Sequence, residues 1–219
     1  TDAHRNHFMI ALVRTEPPSD NRHAGFSQII VDLRQDGAGI RPIRNMSGGE
    51  DFNEVVFEDV LVPEDRVVGE PGNGWKQVTS ELAYERSGPE RFLSAFRVFV
   101  ELVRAAGPDP EPALAAAIGR IAAHIATLRR MSISVAGMLE GGKSPEVEAA
   151  LVKGLGNDFE KLLPEIARLA ADDSPAAAAR FGRFRESLHD TLLLSPSFTI
   201  RGGTREILRG VIARGLGLR

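Results

Sequence analysis

The chain has 219 residues, with 27 Lys and Arg against 30 Asp and Glu and a formal charge of −3. That balance argues against a primary nucleic-acid binder, which would carry a basic face, and the absence of cysteine excludes disulfide scaffolds, Cys-ligated zinc, iron–sulfur clusters and thiol nucleophiles. No apolar run approaches the ~20 residues of a membrane span and no basic-then-apolar leader is visible, so the expectation is a protein of a reducing, cytoplasmic compartment.

The first seventy residues carry strand patterns. Residues 8–13 (FMIALV) form a short apolar run, closed by a loop rich in proline and turn formers. Residues 26–33 (FSQIIVDL) are apolar and β-branched until QDGAG breaks them. Residues 40–44 alternate, and Pro42 assigns them to an edge strand. Residues 52–62 alternate apolar and polar positions until Pro63 stops them. Four such strands predict an antiparallel sheet or part of a barrel. The glycine-rich run 69–75 reads as a tight turn into the next domain, with Trp75 buried beneath it.

From Gly74 the period becomes helical. A first helix carries the stripe Phe92, Phe96, Phe99 and Val103 and stops at Gly107-Pro108. Leu114, Ile118, Ile121, Ile125 and Leu128 mark a second, up to Gly141-Gly142. A third begins near Pro145 and carries Val147, Leu151, Leu155, Phe159, Leu162, Ile166 and Leu169, with Pro164 set to kink or split it. Ser174-Pro175 opens a fourth, through an alanine run to Phe181, Phe184 and Leu188, and a short last helix carries Ile207, Leu208, Val211 and Ile212. The predicted fold is therefore α+β, a partial antiparallel β domain over 1–73 followed by an antiparallel helical bundle over 74–219. A sheet with so few strands needs more chain or a partner. With threonine rather than methionine first, the expectation is a C-terminal portion of a longer protein.

Two segments carry chemistry. In LAYERSG (82–88), Glu85 and Arg86 stand side by side among small and apolar residues. Spacing alone favours a surface ion pair, but a partly buried glutamate there has the raised pKa that a carbon-acid base needs. In IRGGTRE (200–206), two glycines let backbone approach a ligand, and Thr204 can cap the next helix, leaving N–H groups for an anion or a carbonyl oxygen. A plain glycine turn fits that spacing equally well. His4 and His7, near Asp2, read as surface polar residues rather than a metal site.

In order and spacing, NEVVFEDVLVP (53–63), VGEPGNGW (68–75), LAYER (82–86) and GGTREILRGVIAR (202–214) together resemble the acyl-CoA dehydrogenase family. The resemblance runs over nearly the whole chain and is weakest from 107 to 180. It implies a fold of N-terminal helical domain, middle β domain and C-terminal bundle, of which the first domain and first strands are absent here. It also implies FAD as cofactor, an acyl-CoA substrate, an electron-transferring flavoprotein as electron acceptor, fatty acid metabolism, and assembly as a homo- or hetero-oligomer, dimer or tetramer. In the family a glutamate takes the α-proton while a β-hydride leaves to the flavin. The thioester oxygen is held by a flavin hydroxyl and a backbone N–H. Most members carry the base two residues before the loop threonine, where this chain has Gly202. A second branch carries it on the first bundle helix, where this chain has Glu85.

The resemblance thus implies Glu85 as base, the Gly202 N–H as oxyanion donor, Thr1, Thr204 and Glu206 as flavin contacts, and Arg86 on the acyl-CoA side. One departure stands out. The family's arginine and Phe-Gly stretch that grips a neighbouring subunit's FAD is not recognisable in 107–130. A non-catalytic partner subunit of a hetero-oligomer, or a cousin oxidising another carbon acid such as a nitroalkane, therefore stay open as alternatives.

Overall fold

Alternation in the first runs is realised as antiparallel pairing. Strand β1 (Phe8–Arg14) lies against β2 (Phe26–Asp32) in the register Ile10↔Ile30, and β2 also pairs with the two-residue β5 (Val67–Val68). Strands β3 (Ala38–Ile43) and β4 (Phe52–Phe57) form a separate antiparallel pair. The computed structural model describes residues 1–172 and 174–218, and they fall into two compact units, Thr1–Glu81 and Leu82–Arg219.

The strand expected over 52–62 ends at Phe57. The Glu58 amide donates to the Gly37 carbonyl at 2.9 Å, and Asp59 turns the chain with φ 51°. Pro42 sits in a two-stranded sheet, where its missing N–H costs no interior ladder bond. Trp75 is not buried as expected. It is 39% exposed and stacks on His23, with ring centroids 4.3 Å apart. Helix α1 (Gly74–Ser87) starts within the first unit, where Gly74 lies so close to Ser27 that a Cβ would fall 2.8 Å from its backbone. Gln77 Nε2 donates to the Val68 carbonyl at 2.7 Å. The two units part within this helix rather than ahead of it.

The long first helix expected up to Gly107 is three helices: α1, α2 (Glu90–Leu93) and α3 (Phe96–Ala106). Pro89 interrupts the first junction, since it has no N–H to give, and Ala95 leaves helical geometry (φ −101°, ψ 9°) at the second. Helix α4 (Pro112–Glu140) follows its stripe. Leu114, Ile121, Leu128 and Val135 are its buried residues, one every seven positions, which keeps a single face inward. Helix α5 (Glu146–Ala170) runs through Pro164 without splitting. Its buried face is not the expected leucine stripe. Leu151, Leu155 and Leu169 are exposed, whereas Ala149, Val152, Lys153, Gly156, Asn157, Phe159, Glu160 and Leu163 are buried. The small and polar residues win because they meet α2 and the turn after α6. The alanine run yields a 3-10 turn (Pro175–Ala177), not α-helix, and α6 (Gly182–Phe198) extends past Leu188 through Ser195-Pro196. Helix α7 (Arg205–Gly215) closes the unit.

Most of the bundle interior is apolar, with Val98, Leu102, Ile121, Phe159, Leu163, Phe181 and Phe184 in one cluster. A smaller cluster of Ala83, Val135, Ala149 and Val152 anchors the second half of α1 against α4 and α5. Among the described residues no helix is long and apolar enough to cross a membrane.

Candidate active site at the diglycine turn

Small residues let α1 lie close to its neighbours, and polar ones lock its end. Ala83, Arg86 and Ser87 are buried, while Tyr84 and Glu85 are exposed. The Ser87 hydroxyl donates to the Ala83 carbonyl at 2.8 Å, and the Ser132 hydroxyl of α4 donates to the Ser87 carbonyl at 2.5 Å. The partial burial expected for a basic glutamate is thus not supplied by this chain, because α1 turns Glu85 outward from the Ala83 face. What Glu85 faces is the turn between α6 and α7.

That turn is built on two glycines with φ 64° at Gly202 and 110° at Gly203, conformations that a side chain rarely adopts. A Cβ on Gly202 would stand 3.2 Å from Glu85 Oε1, 3.4 Å from Glu85 Cδ and 3.6 Å from Lys153 Cε. The Glu85 carboxylate therefore lies within close contact of the point where a side chain at 202 would begin. Arg86, one residue on, donates from Nε to the Gly202 carbonyl at 3.1 Å. Its guanidinium holds the turn from beneath. The Gly202 N–H meets no acceptor among the described residues, which leaves it free for a ligand oxygen.

Beneath the turn lies a charged interior that the periodicity did not reveal. Lys153 and Glu160 are completely buried and Asn157 nearly so. Lys153 Nζ donates to Asn157 Oδ1 and, at 2.8 Å, to the carbonyl of Phe198, the last residue of α6. Arg201 Nη2 donates to Glu160 Oε1 and to Ser94 Oγ, both at 2.9 Å. Burial, with the nearby Arg91 and Arg201 charges, pushes the Lys153 ammonium down to about 8 against the opposing pull of Glu160 and Glu85. Burial raises the Glu160 carboxyl, partly offset by Arg201, Arg91 and Lys153, and burial likewise lowers the Arg91 guanidinium. The one sequence signal for this cluster is a polar face at Lys153, Asn157 and Glu160, spaced i, i+4, i+7.

Thr204 occupies the N-cap position of α7, but its hydroxyl does not cap the helix. Instead, the Glu206 carboxyl is held below the usual carboxylate range by its own amide and by the Thr204 hydroxyl, with Arg209 and Arg205 adding to the effect. Thr204 and Glu206 thus share the turn with Gly202, Glu85 and Arg86. Thr1 lies in the other unit, exposed. His4 lies there too, its Nδ1 2.7 Å from Asn53 Oδ1.

Residues 72–217 match the family described as acyl-CoA dehydrogenase, C-terminal domain. The chain belongs to the acyl-CoA dehydrogenase family. It is similar to the acyl-CoA dehydrogenase IpdE1 of Mycobacterium tuberculosis, with 33% identity over 226 residues, 99% of this chain and 56% of that protein. Among solved structures it is similar to the Tcur3481-Tcur3483 steroid ACAD (TM-score 0.76, 25% identity, 99% of this chain and 58% of that one). A further structure, PigA, was captured with FAD and shares the fold (TM-score 0.79, 20% identity, 100% of this chain and 58% of that one). The chain spans a little over half the length of these relatives. The fold is that of the family's C-terminal bundle preceded by antiparallel strands, and the family is one of FAD enzymes.

The residues fit that cofactor as one wall of its site. The Thr204 hydroxyl caps no first-turn amide of α7, and the adjoining diglycine backbone admits close approach. Both suit the oxygen-rich edge of a flavin.

Proposed function

We propose that the chain supplies the proton-abstracting wall of a flavin-dependent acyl-CoA dehydrogenase, with Glu85 as the base. The observation behind this reading is that the Glu85 carboxylate stands 3.2 Å from the point where a Gly202 side chain would begin. A glycine at the turn and a glutamate facing it provide one carboxylate for one task. In the reaction the bond from Cα to hydrogen breaks, Glu85 takes the proton, and the electron pair becomes the α,β double bond as hydride leaves the β-carbon. Bound flavin supplies the hydride acceptor. The Gly202 N–H donates to the thioester oxygen as charge builds there. Arg86 holds that amide in place by gripping the Gly202 carbonyl, and so acts on the substrate through the turn. Thr204 and Glu206 are this unit's flavin contacts, and Thr1 is read as a flavin contact on its family position alone. An acyl thioester lying over the turn would itself cover Glu85, supplying the burial that the chain alone does not.

The same reading takes acyl-CoA as substrate, an electron-transferring flavoprotein as the outlet for electrons, and an oligomer as the working form. The test is Glu85→Gln in the FAD-loaded full-length protein. Flavin bleaching by acyl-CoA should slow by about 10²–10⁴-fold, the range of a lost general base, with FAD still bound. Bleaching at the wild-type rate would overturn the assignment. A nitroalkane run beside the thioester separates a carbon-acid cousin, which would bleach with the first alone.

A further inference from the structure

We propose that Lys153 is a positioning residue for the Glu85 carboxylate, acting through the diglycine turn. The inference rests on the reading of Glu85 as base and adds what holds that base in register. Lys153 is completely buried, and its ammonium ties two neutral acceptors together. These are the Asn157 side chain on its own helix and the carbonyl of Phe198, the last residue before the turn. Its Cε lies 3.6 Å from the point on Gly202 that Glu85 Oε1 approaches to 3.2 Å. One side chain therefore anchors the entrance of the turn and underlies its functional residue, while Arg86 grips the carbonyl of that same residue from the opposite helix.

A purely structural lysine would be an expensive choice here, since an apolar side chain of similar volume serves a core as well or better. What the ammonium adds is a fixed geometry and a positive charge beneath the base. The charged groups facing it are Glu160 on its own helix, Arg91 on α2, Glu85 on α1 and Arg201 in the turn. Of these, Glu160 is already engaged by Arg201. Glu85 is the other carboxylate facing Lys153, and it is the one that stands at the turn itself.

The experiment compares Lys153→Met, which removes charge and donor, with Lys153→Gln, which keeps a donor and removes the charge. Both are made in the full-length FAD-loaded protein. Single-turnover flavin reduction by acyl-CoA is followed against thioester concentration. Lys153→Met should slow the limiting rate by about 10–100-fold, the scale of a small misplacement of reacting groups, while the half-saturating concentration changes by less than about 3-fold. Lys153→Gln should recover part of that rate. In both, the loss should fall on the limiting rate rather than on the half-saturating concentration, the split expected when a reacting group is misplaced and binding is kept. In Lys153→Gln, a limiting rate equal to wild type, or a loss carried by the half-saturating concentration instead, overturns the proposal. If Lys153→Met does not fold, the glutamine variant decides on the same terms. Glu85→Gln runs beside them. If it reduces at the wild-type rate, the failure lies in the base assignment; if it is slow while Lys153→Gln behaves as wild type, the failure lies with Lys153.

Discussion

Helix α5 passes through two interiors of opposite character. Its second half contributes Leu163 and Ala167 to a cluster with Leu102, Ile121, Phe181 and Phe184 that is apolar throughout. Its middle turns contribute Lys153, Asn157 and Glu160, equally removed from water, to a cluster with Arg91 and Arg201. In the apolar part each large side chain adds about 1.5–3 kcal/mol from area removed from water, with no fixed direction. In the charged part desolvation offsets most of the Coulomb gain, and what remains is geometry. Lys153 donates to the carbonyl at the entrance of the turn, and Arg201 of the turn donates back into the cluster at Glu160 and beside it at Ser94. The apolar part holds the bundle together, and the charged part sets where one turn sits.

That contrast is broken most directly by Glu160→Leu. Wild-type Glu160 is the one carboxylate buried among Lys153, Arg91 and Arg201, so its loss leaves buried cations uncompensated. The expected cost is about 3–5 kcal/mol in denaturant unfolding. A neutral result would show that the two interiors are interchangeable. Next in size is a pH effect. Folding lowers the Lys153 pKa to about 8 from its ordinary 10.5, so between these values the unfolded chain binds the extra proton. Stability contributed by neutral Lys153 is therefore present above about 10.5 and lost as pH falls through about 8, an effect of about 3 kcal/mol at most. Glu160 runs the other way, since its raised carboxyl is best tolerated in acid and that benefit is lost as pH rises through its folded value. Unfolding free energies of wild type and Lys153→Met should thus diverge in slope between pH 8 and 10.5 and run parallel below it.

The apolar interior was the legible one. The stripe Leu114, Ile121, Leu128 has the period of a buried face, and the structure buries those residues. So was the turn, because Gly202-Gly203 before Thr204 and a helix admits few other readings. The face of α5 was not legible from hydrophobicity. Leu151 and Leu155 scored as core by period and are exposed, since the helix is oriented by Gly156 against α2 and by Lys153 under the turn. A window that counts apolar residues assigns polar ones to solvent, and it fails where a functional turn needs charged support. Junctions failed for a different reason. The break at Pro89 is a local one that the apolar stripe after it obscures, whereas the break at Ala95 and the helical course through Pro196 run against local propensity.

The smallest effects sharpen the comparison within one helical turn. Gly154 and Gly156 lie two residues apart on α5, both in helical backbone, and glycine costs about 0.8–1 kcal/mol there relative to alanine. A Cβ on Gly154 meets nothing within 4 Å, whereas one on Gly156 would lie 2.8 Å from Arg91 Cβ and 3.1 Å from the Arg91 carbonyl oxygen. The first substitution collects the helix gain, so Gly154→Ala should raise the unfolding free energy by about 0.5–1 kcal/mol. The second must push α2 away, and Arg91 with it, at a cost of about 1–3 kcal/mol that outweighs the same gain. Gly156→Ala should therefore destabilise by up to about 2 kcal/mol. Because Arg91 belongs to the charged interior, that loss should be accompanied by slower flavin reduction in the full-length protein. Gly154→Ala should leave the rate unchanged. If the two alanines act alike on both measurements, the close approach of α2 to α5 is not what orders the charged cluster.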